Sequence, residues 1–305
     1  MVRLGIDLGG TKIEIVAIQS DGEPLLRRRI QTPQGDYLAT IQALVNLVEQ
    51  AESEMALGYK ATLGLGIPGA LSAKTGRVKN ANSTWLIGED LKGDLEQSLA
   101  RPVRIANDAN CFALAEASQG VAKGAESVFG VIIGTGCGGG LVYRGNIIQG
   151  SNSIAGEWGH NPMPWLGRND FKQACYCGKN NCIETFLSGP GLAKRYQQAT
   201  GCVLTAKEIV AQMRLGEACA VQWMQCYYDW LAKGLASVIN VFDPEVIVLG
   251  GGLSQIAELY SEVPRRWQNW VFSDEVVTQL RSPKLGDSAG VIGAAWLWSV
   301  EECSK

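Results

Sequence analysis

This sequence lacks a large excess of charge of either sign. It has 27 Lys and Arg against 30 Asp and Glu, a net charge of −3, which leaves no electrostatic footprint for nucleic acid or an anionic membrane. The one basic run, Arg27-Arg28-Arg29, reads as the solvated end of a strand. No apolar stretch reaches bilayer-spanning length. The opening Met1-Val2-Arg3-Leu4-Gly5-Ile6-Asp7 lacks the charged lead and apolar core of a secretory signal and enters a strand pattern at once. Nine cysteines are an odd number without disulfide-scaffold density, so the expectation is a reduced, cytoplasmic protein whose thiols are available to a metal. Its 305 residues can bury a large core, as one large domain or two smaller ones.

Histidine is scarcer still. His160 is the only one, and it precedes the only tight cysteine cluster. Gly156-Glu157-Trp158-Gly159-His160 is followed by Cys175-Tyr-Cys177-Gly-Lys-Asn-Asn-Cys182-Ile-Glu184. Three thiols and an imidazole suit tetrahedral zinc in a closed, structural site, and such a clamp would hold Glu157 and Glu184 in place. Against this, cysteines in a reduced protein are mostly small buried hydrophobes. Cys-x-Cys is also not the usual Cys-x₂-Cys spacing, so spacing alone leaves both readings open.

From its start the chain reads as α/β. Arg3 to Leu8 is a buried strand, Gly9-Gly10-Thr11-Lys12 a turn, and a second strand runs through Ile18. Ser20-Asp21-Gly22 turns the chain into a third strand, Pro24 to Ile30. From Tyr37 the apolar spacing of Ile41, Leu44, Val45 and Val48 predicts a helix. Ala61 to Ile67 is a strand closed by Pro68-Gly69, Leu91 to Leu99 a short helix, and Pro102 to Ile105 a strand that delivers Asn107-Asp108 at its carboxyl end. Polar residues at that end of a buried strand are where α/β proteins meet ligands. An Asp serving only as the N-cap of the helix over Ala109 to Ala117 fits the same position.

Then the opening pattern recurs. Ser127 to Ile133 is a strand, Gly134-Thr135-Gly136-Cys137-Gly138-Gly139 a turn, Gly140 to Tyr143 a strand, Arg144-Gly145-Asn146 a turn, and Ile147-Ile148 a third strand. Such a repeat suggests two related α/β lobes facing one another across a cleft. Gly134, Gly136 and Gly139 match G-x-G-x-x-G, but a strand follows where the dinucleotide fingerprint needs a helix. Lys12 follows no G-x-x-x-x-G, which excludes a P-loop. Two threonine-bearing glycine turns at equivalent places in a repeat suit a clamp of backbone amides on one polyphosphate.

The C-terminal part reads as helical over Gly189 to Ala199 and Glu217 to Phe242, the latter with an apolar stripe suited to core or subunit contact. Val246 to Leu249 is a buried strand, and Gly250-Gly251-Gly252 after it lets a flat ligand or a phosphate approach the backbone. Gly286-Asp287-Ser288-Ala289-Gly290 turns into a helix over Val291 to Trp298.

Asp7-Leu-Gly-Gly-Thr-Lys12, Asn107-Asp-Ala-Asn110, Gly134-Thr-Gly-Cys-Gly-Gly139, Gly156-Glu-Trp-Gly-His160, Cys175-x-Cys177-Gly-x-x-x-Cys182-x-Glu184 and Gly250-Gly-Gly252 resemble, in order, the motifs of the ROK family of repressors, uncharacterised reading frames and sugar kinases. One departure is Asn181, where the family has glycine before its third zinc cysteine; Asn tolerates the left-handed backbone such a turn needs. The resemblance implies the two-lobed actin-like, hexokinase-like (ribonuclease H-like) α/β fold with the active site in the interlobe cleft. Residues 1–118 plus 290–305 would form the small lobe and 119–289 the large one with the zinc segment.

By the same resemblance, Asp108 is the catalytic base. Gly69, Asn82, Asn107, Asp108, Glu157, His160 and Glu184 bind sugar, and Gly9, Gly10, Thr11, Lys12, Gly134, Thr135, Gly136, Gly251 and Gly252 hold ATP and its phosphates. Asp7 orients Mg²⁺, and structural zinc sits on His160, Cys175, Cys177 and Cys182. The second nitrogen of His160 would face a sugar hydroxyl. A homodimer is implied, with no nucleic-acid or membrane partner. A repressor would need a helix-turn-helix before the first motif, which begins here at residue 7; a non-catalytic sugar sensor is disfavoured by the intact phosphate turns and Asp108. The segments Lys79 to Leu86 and Asn161-Pro-Met-Pro-Trp165 resemble the fructokinase (mannofructokinase) branch. The expectation is therefore phosphorylation of fructose at O6, with mannose or glucose as secondary substrates and N-acetylglucosamine kinase or glucokinase as the alternatives.

Overall fold

The computed structural model describes residues 1–167, 170–300 and 302. Its first sheet is built from β1 (Arg3–Leu8), β2 (Lys12–Ile18) and β3 (Pro24–Gln31), followed by α1 (Tyr37–Glu54) and β4 (Thr62–Ile67). A short hairpin of β5 (Ala70–Leu71) and β6 (Val78–Lys79), then α2 (Leu91–Leu99), lead to β7 (Val103–Asn107) and α3 (Asp108–Ser118). The strand order is β3-β2-β1-β4-β7, antiparallel through β3-β2-β1 and parallel through β1-β4-β7. Leu4, Ile6, Leu63, Leu65 and Ile67 share one face of the inner strands and are all but fully buried.

The basic run lies on β3 at the sheet edge, and the two-residue period of a strand sends its members to opposite faces. Arg27 and Arg29 both pair with Glu14 on β2, whereas Arg28 pairs with Glu54 at the end of α1.

The second half repeats the arrangement with β8 (Ser127–Ile133), β9 (Cys137–Tyr143) and β10 (Asn146–Ile147). After a long excursion come α4 (Glu184–Leu187), α5 (Gly189–Thr200), α6 (Ala206–Arg214) and α7 (Ala218–Phe242). The chain then forms β11 (Val246–Gly250), α8 (Leu259–Trp267), β12 (Gln279–Arg281) and α9 (Ala289–Ala295). The sheet order β10-β9-β8-β11-β12 matches the first sheet strand for strand, with β8 parallel to β11 and β11 to β12. The internal repeat seen in the sequence is thus a repeat of topology.

The chain divides into two compact units. One gathers Met1–Gly124, Gly140–Ala155 and the segment from Lys284 onward; the other gathers Ala125–Gly139 and Gly156–Pro283. The division falls inside β9. In the first unit α9 lies directly on β4 and α3, because a Cβ at Gly64 would stand 1.8 Å from the Ala294 carbonyl oxygen and one at Gly293 1.7 Å from that of Cys111. Only hydrogen fits at either place.

Several elements differ from expectation, among them the β5-β6 hairpin, α4 and β12, which no run in the sequence announces. β9 begins at Cys137 rather than Gly140, so the second glycine turn shrinks to Gly134-Thr135-Gly136. The helix α6 was not foreseen, although its start is written in the sequence as a capping box, Thr205 and Glu208 each bonding the other's backbone amide. Among the described residues no helix is long and apolar enough to cross a membrane.

Candidate active site

In the first unit the parallel strands β1 and β7 carry Asp7 one residue before the end of β1 and Asn107 at the end of β7, with Asp108 opening α3. Asn107 is the N-cap of α3, its side-chain oxygen accepting the Ala109 amide at 2.9 Å, an amide that Asp108 Oδ1 also accepts at 2.8 Å. The Asn107 amide donates to the Gly69 carbonyl at 3.1 Å, and the Asn82 backbone amide donates to the Pro68 carbonyl at 3.1 Å. Gly69, Asn82, Asn107 and Asp108 thus form one connected set.

Asp7 is the perturbed acid of this set. Burial first, then the negative charges of Asp108 and Glu14, push its carboxyl up to about 6. Two carboxylates that raise one another's cost of ionisation are a ready position for a divalent cation. The turn after Asp7 is held from behind. The Thr32 hydroxyl donates to the Gly9 carbonyl at 2.8 Å, the Gln34 amide to that of Gly10 at 2.9 Å, and the Thr32 amide to that of Thr11 at 3.0 Å. Lys12 opens β2 with its side chain exposed.

In the second unit, a cavity of about 850 Å³ opens beside the other glycine turn. Gly134, Thr135 and Gly252 line it. Gly251 stands behind it with φ +80°, and a Cβ there would sit 2.4 Å from the Ile133 carbonyl oxygen. Gly136 faces instead the Glu184 carboxylate, one oxygen of which accepts the Cys137 amide at 2.9 Å. The sequence reading missed the wall opposite, which α6 supplies through Lys207, Val210, Ala211 and Arg214, together with Leu253 and Ile256. An apolar slot bordered by glycine backbone and a lysine suits a flat heteroaromatic ring carrying phosphates.

The cysteine cluster lies in the same unit. Trp158 anchors the Glu157–His160 turn by packing edge-on against Phe129 and donating its indole N–H to the Gly138 carbonyl at 3.1 Å. One ligand atom from each of His160, Cys175, Cys177 and Cys182 falls within 4.8 Å of all the others. The Cys177 and Cys182 sulfurs are 3.5 Å apart, and Cys175 Sγ is 3.6 Å from His160 Nδ1. Zinc–ligand bonds of about 2.0–2.3 Å give tetrahedral edges of about 3.5–3.8 Å, so the donor set fits that ion.

Burial and neighbouring thiols push Cys182 up to about 12, so a cation is what would make its thiolate favourable. Asn181, the departure from the family pattern, has φ +53°, the left-handed backbone anticipated for it. Its side-chain oxygen accepts the Gln173 amide at 2.7 Å and an N–H of the buried Arg195 at 3.4 Å, which ties the cluster to the core. Glu157 is exposed. The second His160 nitrogen, Nε2, lies 2.9 Å from the Tyr176 hydroxyl.

The ROK family model matches residues 3–301. An N-acetyl-D-glucosamine kinase of Yersinia enterocolitica is 39% identical over 298 residues, covering 96% of this chain and 98% of that protein. The crystal structure of a ROK hexokinase from Thermus thermophilus aligns over 100% of both chains at 30% identity with a TM-score of 0.87. A ROK glucokinase from Streptomyces griseus, in complex with glucose and AMPPNP, covers 97% of this chain and 98% of its own at 29% identity and a TM-score of 0.73. The α/β fold with two sheets is that of ROK hexokinases.

The fructokinase expectation finds no support. The loops it rested on are explained by packing. Trp85 donates to the Thr40 hydroxyl of α1 at 3.3 Å, Leu86 and Met163 are buried, and Trp165 stacks on Trp270 with centroids 5.3 Å apart.

Proposed function

The chain belongs to the ROK family and is a sugar kinase, and from that premise we propose that it transfers the γ-phosphoryl group of ATP to the primary hydroxyl, O6, of N-acetyl-D-glucosamine. The observation that carries the choice of sugar is the 39% identity, over 98% of its length, to a kinase of that substrate. A coupled ADP-release assay across N-acetyl-D-glucosamine, N-acetylmannosamine, glucose, mannose and fructose tests it. N-acetyl-D-glucosamine should give the highest kcat/KM, and a higher value for any neutral hexose would sink the choice.

Asp108, at the strand end and set in place by the Asn107 cap, accepts the proton of the attacking hydroxyl. Gly69, Asn82, Asn107, Glu157, His160 and Glu184 are the residues assigned to the polyol, to which their amides, carboxylates and imidazole offer donors and acceptors. Gly9, Gly10, Thr11 and Lys12 hold phosphate oxygens, as do Gly134, Thr135 and Gly136. The adenosine lies in the slot walled by α6, with Gly251 and Gly252 letting it approach the backbone. Mg²⁺, held at Asp7, neutralises phosphate charge when bound. Phosphoryl transfer asks the protein mainly for such positioning and neutralisation.

Zinc on His160, Cys175, Cys177 and Cys182 has a structural role in this reading. The Cys182 end of the cluster runs straight into Glu184, which bonds the Cys137 amide beside the phosphate turn. Cys182→Ser should therefore lose the metal and raise the sugar KM by about 10-fold or more. Its ATP KM should change little. Elemental analysis and steady-state kinetics on the folded variant check both, and an unchanged sugar KM without metal would refute the role.

A further inference from the structure

His160 has two duties in the proposed function, Nδ1 toward the metal and Nε2 toward the sugar. Nε2 is already engaged. The Tyr176 hydroxyl lies 2.9 Å from it, and the two rings meet edge to face with centroids 5.1 Å apart and planes at 88°. Tyr176 sits between Cys175 and Cys177, so its backbone is pinned by metal-ligand neighbours on either side, whereas the residue as a whole is 80% exposed. An anchored backbone with a solvent-facing ring can swing without disturbing the fold. The negative charges of Glu184 and Glu157 also act on the phenol.

Hydrogen-bond roles follow from the cluster. An imidazole that gives Nδ1 to a metal keeps its proton on Nε2, so Nε2–H donates and the Tyr176 oxygen accepts. That oxygen supplies the bond an oxygen of the sugar would supply. We propose that Tyr176 is a displaceable placeholder for the substrate, holding the His160 ring in the sugar-free enzyme and swinging out when a sugar oxygen takes over Nε2–H. The inference rests on the sugar-kinase reading with His160 at the sugar. Its consequence is a tax on affinity, because apparent binding is weakened by the fraction of molecules in which Tyr176 holds the position.

The test is Tyr176→Phe in the full-length, metal-loaded enzyme, with N-acetyl-D-glucosamine and D-glucose run in parallel so that a wrong choice of sugar does not decide the outcome. Calorimetry without nucleotide should show the Kd of whichever sugar the wild type phosphorylates faster falling by about 2–10-fold, the worth of one such hydrogen bond. The KM should fall with it and kcat should be retained. His160 is the only histidine, so a ¹H–¹⁵N imidazole spectrum reports this one ring. The sugar should shift the Nε2 resonance in the wild type, and the variant should show an altered resonance before any sugar is added. An unchanged or weakened Kd in a variant that keeps its metal would overturn the proposal. Loss of metal from the variant would also overturn it, by making Tyr176 a support of the cluster instead.

Discussion

Asp108→Asn is expected to lower kcat with N-acetyl-D-glucosamine by about 10²–10⁴-fold, the usual worth of a general base, while sugar binding measured without nucleotide persists. The substitution is close to isosteric. Asn107 still caps α3, and an amide oxygen at position 108 can still accept the Ala109 amide, which Asp108 takes at 2.8 Å. What is lost is the proton acceptor. A charge is also lost beside Asp7, so the variant should be no less stable than the wild type. Near-normal turnover would remove Asp108 from the chemistry.

Asp7→Asn should separate stability from function. The folded-state value of about 6 stands above the ordinary value of 3.8, because burial and then Asp108 disfavour the charge. The penalty is therefore fully present above pH 6, where Asp7 is ionised in folded and unfolded chains alike. It fades as pH falls through 6 and is gone below 3.8, where both states hold the proton. A shift of that size corresponds to about 3 kcal/mol as an upper figure.

Metal-free Asp7→Asn should accordingly unfold at a higher temperature than the metal-free wild type at pH 7.5. The two should converge near pH 4. Turnover should fall about 100-fold or more, as for removal of one electrostatic partner of the transferring group. Thermal unfolding at the two pH values, beside the coupled assay, checks both halves. A variant that is both less stable at pH 7.5 and fully active would contradict the account.

The glycine turns, the buried strands and the doubled strand order were legible because each is written locally, in apolar runs closed by Gly-Gly-Thr or Gly-Thr-Gly. Asp108 was legible because a strand end followed at once by a helix places it. The α6 wall of the cavity beside Gly134 was not. It joins residues 205–214 to 252–256, and that juxtaposition is set by helix packing, although the capping box at Thr205 could have located the helix itself. The bond from Glu184 to the Cys137 amide spans 47 positions and leaves no local trace. The fructose expectation finds no support among the relatives, and of the residues it rested on Leu86 and Met163 are buried in packing while Trp165 stacks on Trp270. The Tyr176 hydroxyl lies 2.9 Å from His160 Nε2 across sixteen positions, a contact with no local trace in the sequence.

The central claim is tested most directly by product analysis. Purified chain with Mg²⁺, ATP and N-acetyl-D-glucosamine should yield N-acetyl-D-glucosamine 6-phosphate by mass spectrometry, one sugar phosphate for each ADP released. ADP formed without sugar phosphate, or sugar phosphate formed from glucose or fructose but not from the amino sugar, would contradict it.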